Sequence, residues 1–307
     1  MEKVIVVIGP TSVGKTKMGV ALAKKFNGEV ISGDSMQIYK QMDIGTAKVT
    51  EEEKEGIIHH CVDILNPDET YSVHDFQQTV RKKITEITQR GHVPIIVGGT
   101  GLYIKAALYD YQFDEMENDY HAINEKYKDY TNEQLHDHLK SIDEESAKTL
   151  HFNNRRRILR AIEIYETTGK RKSEMLEEQE HICLYDAYFV GLTLPRDILY
   201  ERINKRVDVM MKNGLKEEMD QLYSQGLTRN HQSMKAIGYK EWFDYYDHQI
   251  DLNDVLELIK KHSRQYAKRQ YTWFKNQFDV HWYDVNLENF EQTIEQVTDD
   301  IEKILKV

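Results

Sequence analysis

Several features that mark other protein classes are scarce in this 307-residue sequence. It has only two cysteines, Cys61 and Cys183, and they lie far apart without the cysteine and histidine spacing of a zinc site, which argues against a disulfide or a metal centre. No apolar run approaches the roughly 20 residues that a membrane helix needs, and no charged leader precedes the first apolar run. We therefore expect a cytoplasmic protein with reduced cysteines and no membrane partner.

Positive charge is also in deficit, since the formal net charge is −11 at pH 7. This negative net charge argues against nucleic-acid binding, because nucleic-acid phosphates attract concentrated lysine and arginine. The basic residues are nevertheless grouped at positions 155–160, 170–172 and 260–269. One such cluster is as readily a solvated helix face as a binding surface. The presence of three clusters favours a role in binding.

The most specific motif is GPTSVGKT, at residues 9–16. It follows an apolar run at residues 4–8 and precedes a helical pattern over residues 15–26. This context predicts a phosphate-binding loop, whose backbone N–H groups converge on an anion at a helix N-terminus while the lysine contacts phosphate and the last hydroxyl reaches Mg²⁺. The predicted diphosphate-binding residues are Gly9, Pro10, Thr11, Ser12, Val13, Gly14, Lys15 and Thr16, with Thr16 also the predicted Mg²⁺ ligand.

A further absence separates this chain from the usual nucleotide hydrolases. Those enzymes pair the loop with a strand that ends in an acidic Mg²⁺ ligand. The strand pattern at residues 93–97 ends instead in Gly98, Gly99 and Thr100, a tip that suits a closely approaching substrate. The pattern at residues 29–32 delivers Asp34 to the carboxyl end of the sheet, where open α/β sheets bind their ligands. We therefore expect the loop and Asp34 to face one cleft.

The order of strand and helix patterns predicts an α/β fold with an insertion. Strands and helices alternate to about residue 110, strand patterns then vanish until about residue 179, and they return at residues 188–194 and 280–283. We predict a P-loop-type parallel sheet flanked by helices, with a core formed by residues 1–113 and 185–307. Residues 114–184 are predicted to form an inserted helical subdomain.

The last long helical pattern, at residues 254–276, interleaves basic and aromatic residues. Arg264 and Lys268 lie one turn apart, whereas Trp273 and Phe274 occupy an adjoining face. Such a mixture can hold a nucleic-acid strand through charge and base stacking, but an amphipathic helix with buried aromatics has the same pattern. We interpret the aromatic residues as core and the basic face as functional.

Seven segments, in this order, resemble the bacterial tRNA dimethylallyltransferase family, also called tRNA isopentenyltransferases or IPP transferases. They lie at residues 9–16, 32–48, 59–76, 98–108, 153–170, 234–241 and 266–274, and include MKAIGYKE and YAKRQYTWF. The resemblance implies Mg²⁺-dependent transfer of a dimethylallyl group from dimethylallyl diphosphate to the exocyclic N6 amine of the adenosine 3′-adjacent to the tRNA anticodon. The implied partners are dimethylallyl diphosphate and the tRNA anticodon stem-loop, and we expect a monomer.

The resemblance also implies roles for individual residues. Asp34 matches the proposed general base, Thr100 a threonine near both substrates, and Arg206 an arginine assigned to the diphosphate. A helix cap is an alternative for both Asp34 and Thr100, and Asp34 could instead orient a metal ligand. The positions implied for tRNA contact are Asp34, Ser35, Met36, Gln37, Arg156, Arg157, Ile158, Leu159, Arg160, Lys235, Ala236, Ile237, Gly238, Tyr239, Lys240, Arg264, Lys268 and Arg269.

Three other functions stay open at this point. A small-molecule kinase of the same fold would use Asp34 to deprotonate a hydroxyl group. A noncatalytic RNA-binding protein would keep the loop and the basic helices but perform no chemistry. A related enzyme could prenylate free adenine nucleotides, although the long basic helix favours RNA.

Overall fold

The computed structural model describes residues 1–111, 120–177 and 181–305. The chain divides into two compact units, one formed by Met1–Tyr109 with Cys183–Val307 and the other by Asp110–Ile182. The predicted start of the insertion, residue 114, lies outside the described residues. Its predicted end, residue 184, lies just beyond the observed boundary at Ile182.

The first unit is built on a parallel sheet. Its strands are β1 (Lys3–Ile8), β2 (Gly28–Ser32), β3 (His59–His60), β4 (Val93–Gly98), β5 (Asp186–Thr193) and β6 (His281–Asp284). Within the described residues they form one six-stranded sheet in the order β3-β2-β4-β1-β5-β6, with every pairing parallel. Strand β5 follows the insertion in sequence and pairs with β1, and β6 pairs with β5, so the predicted α/β fold is confirmed.

Helices follow most of the strands. They are α1 (Lys15–Lys25), α2 (Glu51–Lys54), α3 (Val73–Gln89), α4 (Gly101–Leu108), α5 (Tyr120–Lys126), α6 (Asn132–Ile142), α7 (Glu144–Thr149), α8 (Arg155–Thr168), α9 (Lys172–Glu177), α10 (Arg196–Lys212), α11 (Leu215–Ser224), α12 (Trp242–Tyr246), α13 (Leu252–Gln277) and α14 (Phe290–Leu305). The second unit contains α5–α9 and the first unit contains the others. A capping box of Ser72 and Asp75 opens α3, since each side chain accepts a backbone N–H of the other.

Alternating residues of β1 supply both faces of the sheet. Val4, Val6 and Ile8 belong to one buried apolar cluster, and Ile5 and Val7 belong to another. All five side chains are fully buried, and each contributes about 1.5–3 kcal/mol of hydrophobic stabilisation. A central strand buried on both faces is expected of a parallel sheet that carries helices on each side.

The second unit has its own core, which corrects part of the predicted tRNA-binding set. Ile158 and Leu159 of α8 are fully buried there, in a cluster with Leu135 and Leu139 of α6. Their apolar side chains therefore face the interior of this unit. They support the helix and do not belong to a binding surface.

A buried carboxylate on β2 links this strand to β3 and to the residue before β4. Glu29 of β2 is 2% exposed and accepts hydrogen bonds from Arg90 at 3.0 and 2.7 Å. His60 of β3 and His92, which precedes β4, lie 2.6 and 2.7 Å from the same carboxylate. Burial alone would raise the pKa of Glu29, but the hydrogen bonds from Arg90 and the two histidines outweigh it and lower the pKa to about 2.

Replacing Glu29 with glutamine is expected to lower the free energy of unfolding by about 2–4 kcal/mol at pH 7, because a paired buried charge is lost. The pKa of Glu29 is lower in the folded chain than in the unfolded chain, so its stabilisation is complete above about pH 4.5 and is lost as the pH falls toward 2. Urea unfolding at pH 7 and pH 3 measures both effects. The matched control is Glu55→Gln, which removes an exposed ion pair with Lys24 and should cost less than about 1 kcal/mol.

Candidate active site

The predicted phosphate-binding loop lies between the carboxyl end of β1 and the start of α1. Gly9 has φ +147°, and a Cβ at this position would lie 2.6 Å from the carbonyl oxygen of Leu192, so glycine is required there. The Lys15 ammonium group donates to the carbonyl oxygen of Pro10 at 2.7 Å. The Ser12 hydroxyl is buried with no hydrogen-bond partner among the described residues. A buried, unpaired donor beside an ammonium group suits an anionic ligand.

Two members of the predicted loop contribute differently from the others. Pro10 has no N–H group, so it cannot donate to a phosphate, and its carbonyl oxygen instead orients Lys15. The Val13 side chain is 1% exposed and packs in the core behind the loop, so only its backbone can face a ligand. Pro10 is therefore corrected from a phosphate ligand to a residue that shapes the loop.

Asp34 lies in a turn just after β2. Its Oδ1 atom accepts the backbone N–H of Met36 at 2.8 Å, and the next helix, α2, begins only at Glu51. The helix-cap alternative for Asp34 is therefore wrong. Burial raises the pKa of this carboxyl group, and the Met36 hydrogen bond and the nearby Lys15 charge oppose the increase. A carboxylate with a raised pKa is a stronger proton acceptor than an exposed one.

Thr100 stands at the N-terminal end of α4, but its hydroxyl makes no capping bond to that helix. It accepts the backbone N–H of Ser35 at 3.1 Å instead. The helix-cap alternative for this hydroxyl is therefore wrong. Thr100 links the end of β4 to the turn that carries Asp34, and so helps to hold the carboxylate in place.

Helix α10 directs two guanidinium groups at the loop. Arg206 donates to the Thr11 hydroxyl at 3.4 Å, and Arg202, one turn earlier, donates to the Ser12 carbonyl oxygen at 3.0 Å. Burial, followed by the charge of Arg206, lowers the pKa of Lys15 to about 7. Lys15, Arg202 and Arg206 thus place three basic side chains at the loop. A bound anion would favour the protonated form of Lys15.

Two cavities open on this group of residues. Their volumes are about 340 and 540 Å³. The walls they share are Thr11, Ser12, Lys15, Asp34, Thr46, Ala47, Gly99 and Arg206. The larger cavity also contacts Gly14 and Thr16, and the smaller one contacts Lys235, Lys240, Tyr266 and Arg269. The loop and Asp34 thus face one cleft, as predicted, and they stand where two compartments meet.

Glu218 of α11 holds one wall of the cleft and has no recognisable sequence signal. Its carboxylate accepts the backbone N–H groups of Asp43, Ile44 and Gly45 at 2.7–3.0 Å and the Tyr239 hydroxyl at 2.6 Å. Tyr239 is fully buried, which corrects its predicted role in tRNA contact. The contacts of Glu218 join positions up to 175 residues apart, so no local pattern could indicate them.

The predicted basic face of α13 divides into structural and exposed parts. Arg264 donates to the Asn204 side chain of α10, so this residue joins two helices. Lys268 and Arg269 are exposed. Phe274 is fully buried and Trp273 is partly buried in the same cluster, which confirms the interpretation of these aromatics as core.

The remaining predicted positions have varied exposure. Lys235 and Lys240 are exposed, Ala236 and Gly238 are buried, and Ile237 is partly buried. Ser35, Met36 and Gln37 are partly buried, and the first two of them line the smaller cavity. In the second unit, Arg156 and Arg157 are exposed and Arg160 forms an ion pair with Glu163.

The described residues contain no metal-binding cluster and no membrane-spanning helix. Within residues 1–111, 120–177 and 181–305, no group of three histidine, cysteine or acidic side chains is placed to hold a metal ion. In the same ranges no helix has the length and apolar character needed to cross a bilayer. Cys61 and Cys183 are both free thiols.

Comparison with known proteins assigns this architecture to a family. The IPP transferase family model matches residues 37–277. A curated tRNA dimethylallyltransferase from Bacillus cereus is 55% identical over 287 residues, which are 92% of this chain and 90% of that protein. A relative of the same name from Bacillus anthracis is also 55% identical over 92% of this chain.

Solved structures agree in fold. The tRNA delta(2)-isopentenylpyrophosphate transferase of Staphylococcus epidermidis is 47% identical, with a TM-score of 0.74 over 99% of each chain. A eukaryotic dimethylallyltransferase acting on tRNA is 33% identical, with a TM-score of 0.85 over 99% of this chain and 79% of that one. The two structural matches cover 99% of this chain and so include the loop, the Asp34 turn, α10 and α13. The chain therefore belongs to the IPP transferase family.

Proposed function

We propose that this protein transfers the dimethylallyl group of dimethylallyl diphosphate to the N6 amine of the adenosine 3′-adjacent to the anticodon in tRNAs. The products are N6-(dimethylallyl)adenosine and diphosphate. The observation that carries the proposal is the junction of two cavities at Asp34, Lys15 and Arg206. One proton acceptor and two cations thereby face the same reaction space. The family relatives named as tRNA dimethylallyltransferases support this assignment.

The loop side of the junction stabilises the leaving group. As the carbon–oxygen bond of the allylic diphosphate breaks, negative charge develops on the diphosphate and positive charge on the allylic carbon. Lys15, Arg206 and the loop N–H groups are oriented donors for the developing anion, and the unpaired Ser12 hydroxyl adds another. The larger cavity, which contains Gly14 and Thr16, is assigned to the diphosphate.

Asp34 acts on the nucleophile. The lone pair of the adenine N6 amine forms the new nitrogen–carbon bond, and the amine must then release a proton. The Asp34 carboxylate accepts this proton, and its burial favours the protonated form that results. Thr100 keeps the Asp34 turn in position through Ser35.

Mg²⁺ is part of this proposal. Thr16 lines the larger cavity beside Lys15, and a hydroxyl together with diphosphate oxygens forms the oxygen ligand set that Mg²⁺ prefers. When bound, the ion supplies charge neutralisation to the departing diphosphate. The residue that would hold it is Thr16.

The adenosine is assigned to the smaller cavity. An anticodon-loop base is stacked on its neighbours, so it must leave the stack to enter an enclosed site. Lys235, Lys240 and Arg269 line this cavity and can contact the RNA backbone around the displaced nucleotide. Lys268 of α13 and the arginines of α8 are proposed as further contacts with the anticodon arm.

A labelling experiment tests the proposed reaction. Purified protein is incubated with dimethylallyl diphosphate labelled in the prenyl carbons and with unmodified tRNA, and the label is located by nuclease digestion. We expect label on the adenosine next to the anticodon and none on a matched tRNA that carries guanosine there. Consumption of ATP without labelling of RNA would favour the kinase alternative. Labelling of free AMP in place of tRNA would favour the nucleotide-prenylating alternative.

Replacing Lys268 with alanine is expected to weaken tRNA binding and to flatten its salt dependence by about one counterion, because each phosphate contact releases roughly one ion. Filter binding of unmodified tRNA at several salt concentrations measures the slope. The control is Lys303→Ala, since Lys303 lies on α14 in an exposed ion pair and lines neither cavity. Equal slopes for the two variants would remove Lys268 from the binding surface.

A further inference from the structure

A buried amide on α13 joins the phosphate-binding loop to the end of β4. The Gln270 side chain accepts the backbone N–H of Thr11 through Oε1 at 3.0 Å. Its Nε2 atom donates to the carbonyl oxygen of Gly99 at 2.9 Å. Gln270 is 5% exposed, so water does not compete effectively for these bonds. One side chain therefore spans the gap between the two segments that flank the reaction space.

The surrounding residues are fitted to this bridge. A Cβ on Gly99 would lie 2.2 Å from the Gln270 nitrogen, so a larger residue there would displace the amide from this position. Tyr266, one turn earlier on α13, donates its hydroxyl to the same Gly99 carbonyl oxygen at 3.3 Å. Helix α13 thus donates two hydrogen bonds to the Gly99 carbonyl oxygen, just after β4, and accepts one from the Thr11 N–H of the loop.

An amide is the side chain that both partners require. The Thr11 N–H needs an acceptor, the Gly99 carbonyl needs a donor, and a neutral amide supplies one of each. Methionine has similar reach but would leave the Thr11 N–H without this acceptor and the Gly99 carbonyl oxygen with only the longer bond from Tyr266. Glutamate would keep the acceptor for Thr11 but would place a second acceptor against the Gly99 carbonyl.

The same helix also carries exposed basic residues next to this bridge. Lys268 and Arg269 precede Gln270 in sequence and are exposed, whereas Gln270 is buried. Arg269 and Gln270 both line the smaller cavity. RNA bound in the smaller cavity would therefore lie against the residue that also holds the Thr11 N–H of the loop. Two neighbours of the bridge contact groups of the proposed reaction. Thr100 accepts the Ser35 N–H of the Asp34 turn, and the Thr11 hydroxyl accepts a hydrogen bond from Arg206.

We infer that Gln270 is a positioning residue that couples the two substrates: RNA docked on the basic face of α13 sets the phosphate-binding loop for an allylic diphosphate. This inference rests on the proposed function, because it names RNA and diphosphate as the ligands of the two sides. Coupling between sites is reciprocal, so diphosphate also tightens RNA binding by the same factor.

Calorimetric titration with inorganic pyrophosphate, in the absence and in the presence of saturating unmodified tRNA, tests the coupling in the full chain. We expect tRNA to tighten pyrophosphate binding to the native protein by about fivefold or more. In Gln270→Met this enhancement should fall to less than about twofold. The affinity for tRNA alone is measured separately, which distinguishes a loss of coupling from a loss of RNA binding. The matched control is Gln296→Met on α14, an exposed glutamine that lines neither cavity and should keep the full enhancement.

A second variant keeps the test decisive if Gln270→Met does not fold. Tyr266→Phe removes one hydroxyl donation to Gly99 and preserves the ring, so it should fold and lose part of the enhancement. The inference is overturned if the native protein shows no enhancement, or if every folded variant keeps all of it. Transfer of labelled dimethylallyl groups by the native protein is measured in parallel. Transfer without coupling rejects only the role of Gln270, whereas absence of transfer rejects the proposed function.

Discussion

Replacing Asp34 with asparagine is expected to lower the single-turnover rate of dimethylallyl transfer by about a hundredfold to ten-thousandfold, the usual contribution of a general base. Asparagine retains an oxygen that can accept the Met36 N–H, so the turn should survive while the proton acceptor is lost. Rapid-quench measurement with enzyme in excess over labelled donor and tRNA isolates the transfer step. Binding of tRNA should change little.

The matched control for this variant is Asp208→Asn. Asp208 lies on α10, but its half-exposed carboxylate pairs with Lys260 and lines neither cavity. A rate close to that of the native protein is expected for the control. If Asp34→Asn also transferred at the native rate, Asp34 would be a structural residue of the turn and the base would have to be sought elsewhere.

The direction of the Asp34 pKa shift sets the pH dependence of the reaction. The carboxyl group must be ionised to accept a proton, and burial raises its pKa above the ordinary value. The rate should therefore rise with pH through this raised pKa and level off above it. This acid limb should be missing from the residual activity of Asp34→Asn, which a pH profile of both proteins will show.

The second large effect is expected from Lys15→Met. Its ammonium group faces the leaving group in the proposed reaction, and loss of one oriented donor at a developing anion typically costs about a hundredfold to a thousandfold in rate. The control is Lys17→Met, because Lys17 also lines the larger cavity but is mostly exposed and pairs with Glu291. The control should transfer within about fivefold of the native rate.

Lys15 also gives donor binding a dependence on pH. Burial and the charge of Arg206 lower the pKa of Lys15 to about 7, so the ammonium form is lost as the pH rises through neutrality. The contribution of Lys15 to pyrophosphate affinity should therefore be largest below pH 7 and should decrease above it. The ratio of pyrophosphate affinities between the native protein and Lys15→Met isolates the contribution of Lys15, since ionisation of pyrophosphate itself affects both proteins equally. A ratio that does not change with pH would contradict the lowered pKa.

Much of the candidate site is predictable because its signals are local. The loop at residues 9–16 is one continuous motif between a strand and a helix, and Asp34 follows its strand at a spacing that leads to the same edge of the sheet. Apolar periodicity also indicates the core-forming segments of the two units, but it identified only whether a segment is a helix or a strand. It did not show that Ile158, Leu159 and Tyr239 face inward, because exposure depends on what packs against each position.

The amino-acid sequence by itself determined the α/β class, the glycine-containing loop at residues 9–16, the carboxylate that faces it and the basic clusters, since each depends on residues close together in the chain. Only the tertiary structure decided which side chains hold the loop, the carboxylate and the neighbouring segments in position. The bonds of Gln270 to Thr11 and Gly99 span 259 and 171 residues, and those of Glu218 to the 43–45 segment span up to 175. Such contacts arise when the chain folds back on itself, and a hydrogen bond between distant residues leaves no periodic pattern in the sequence.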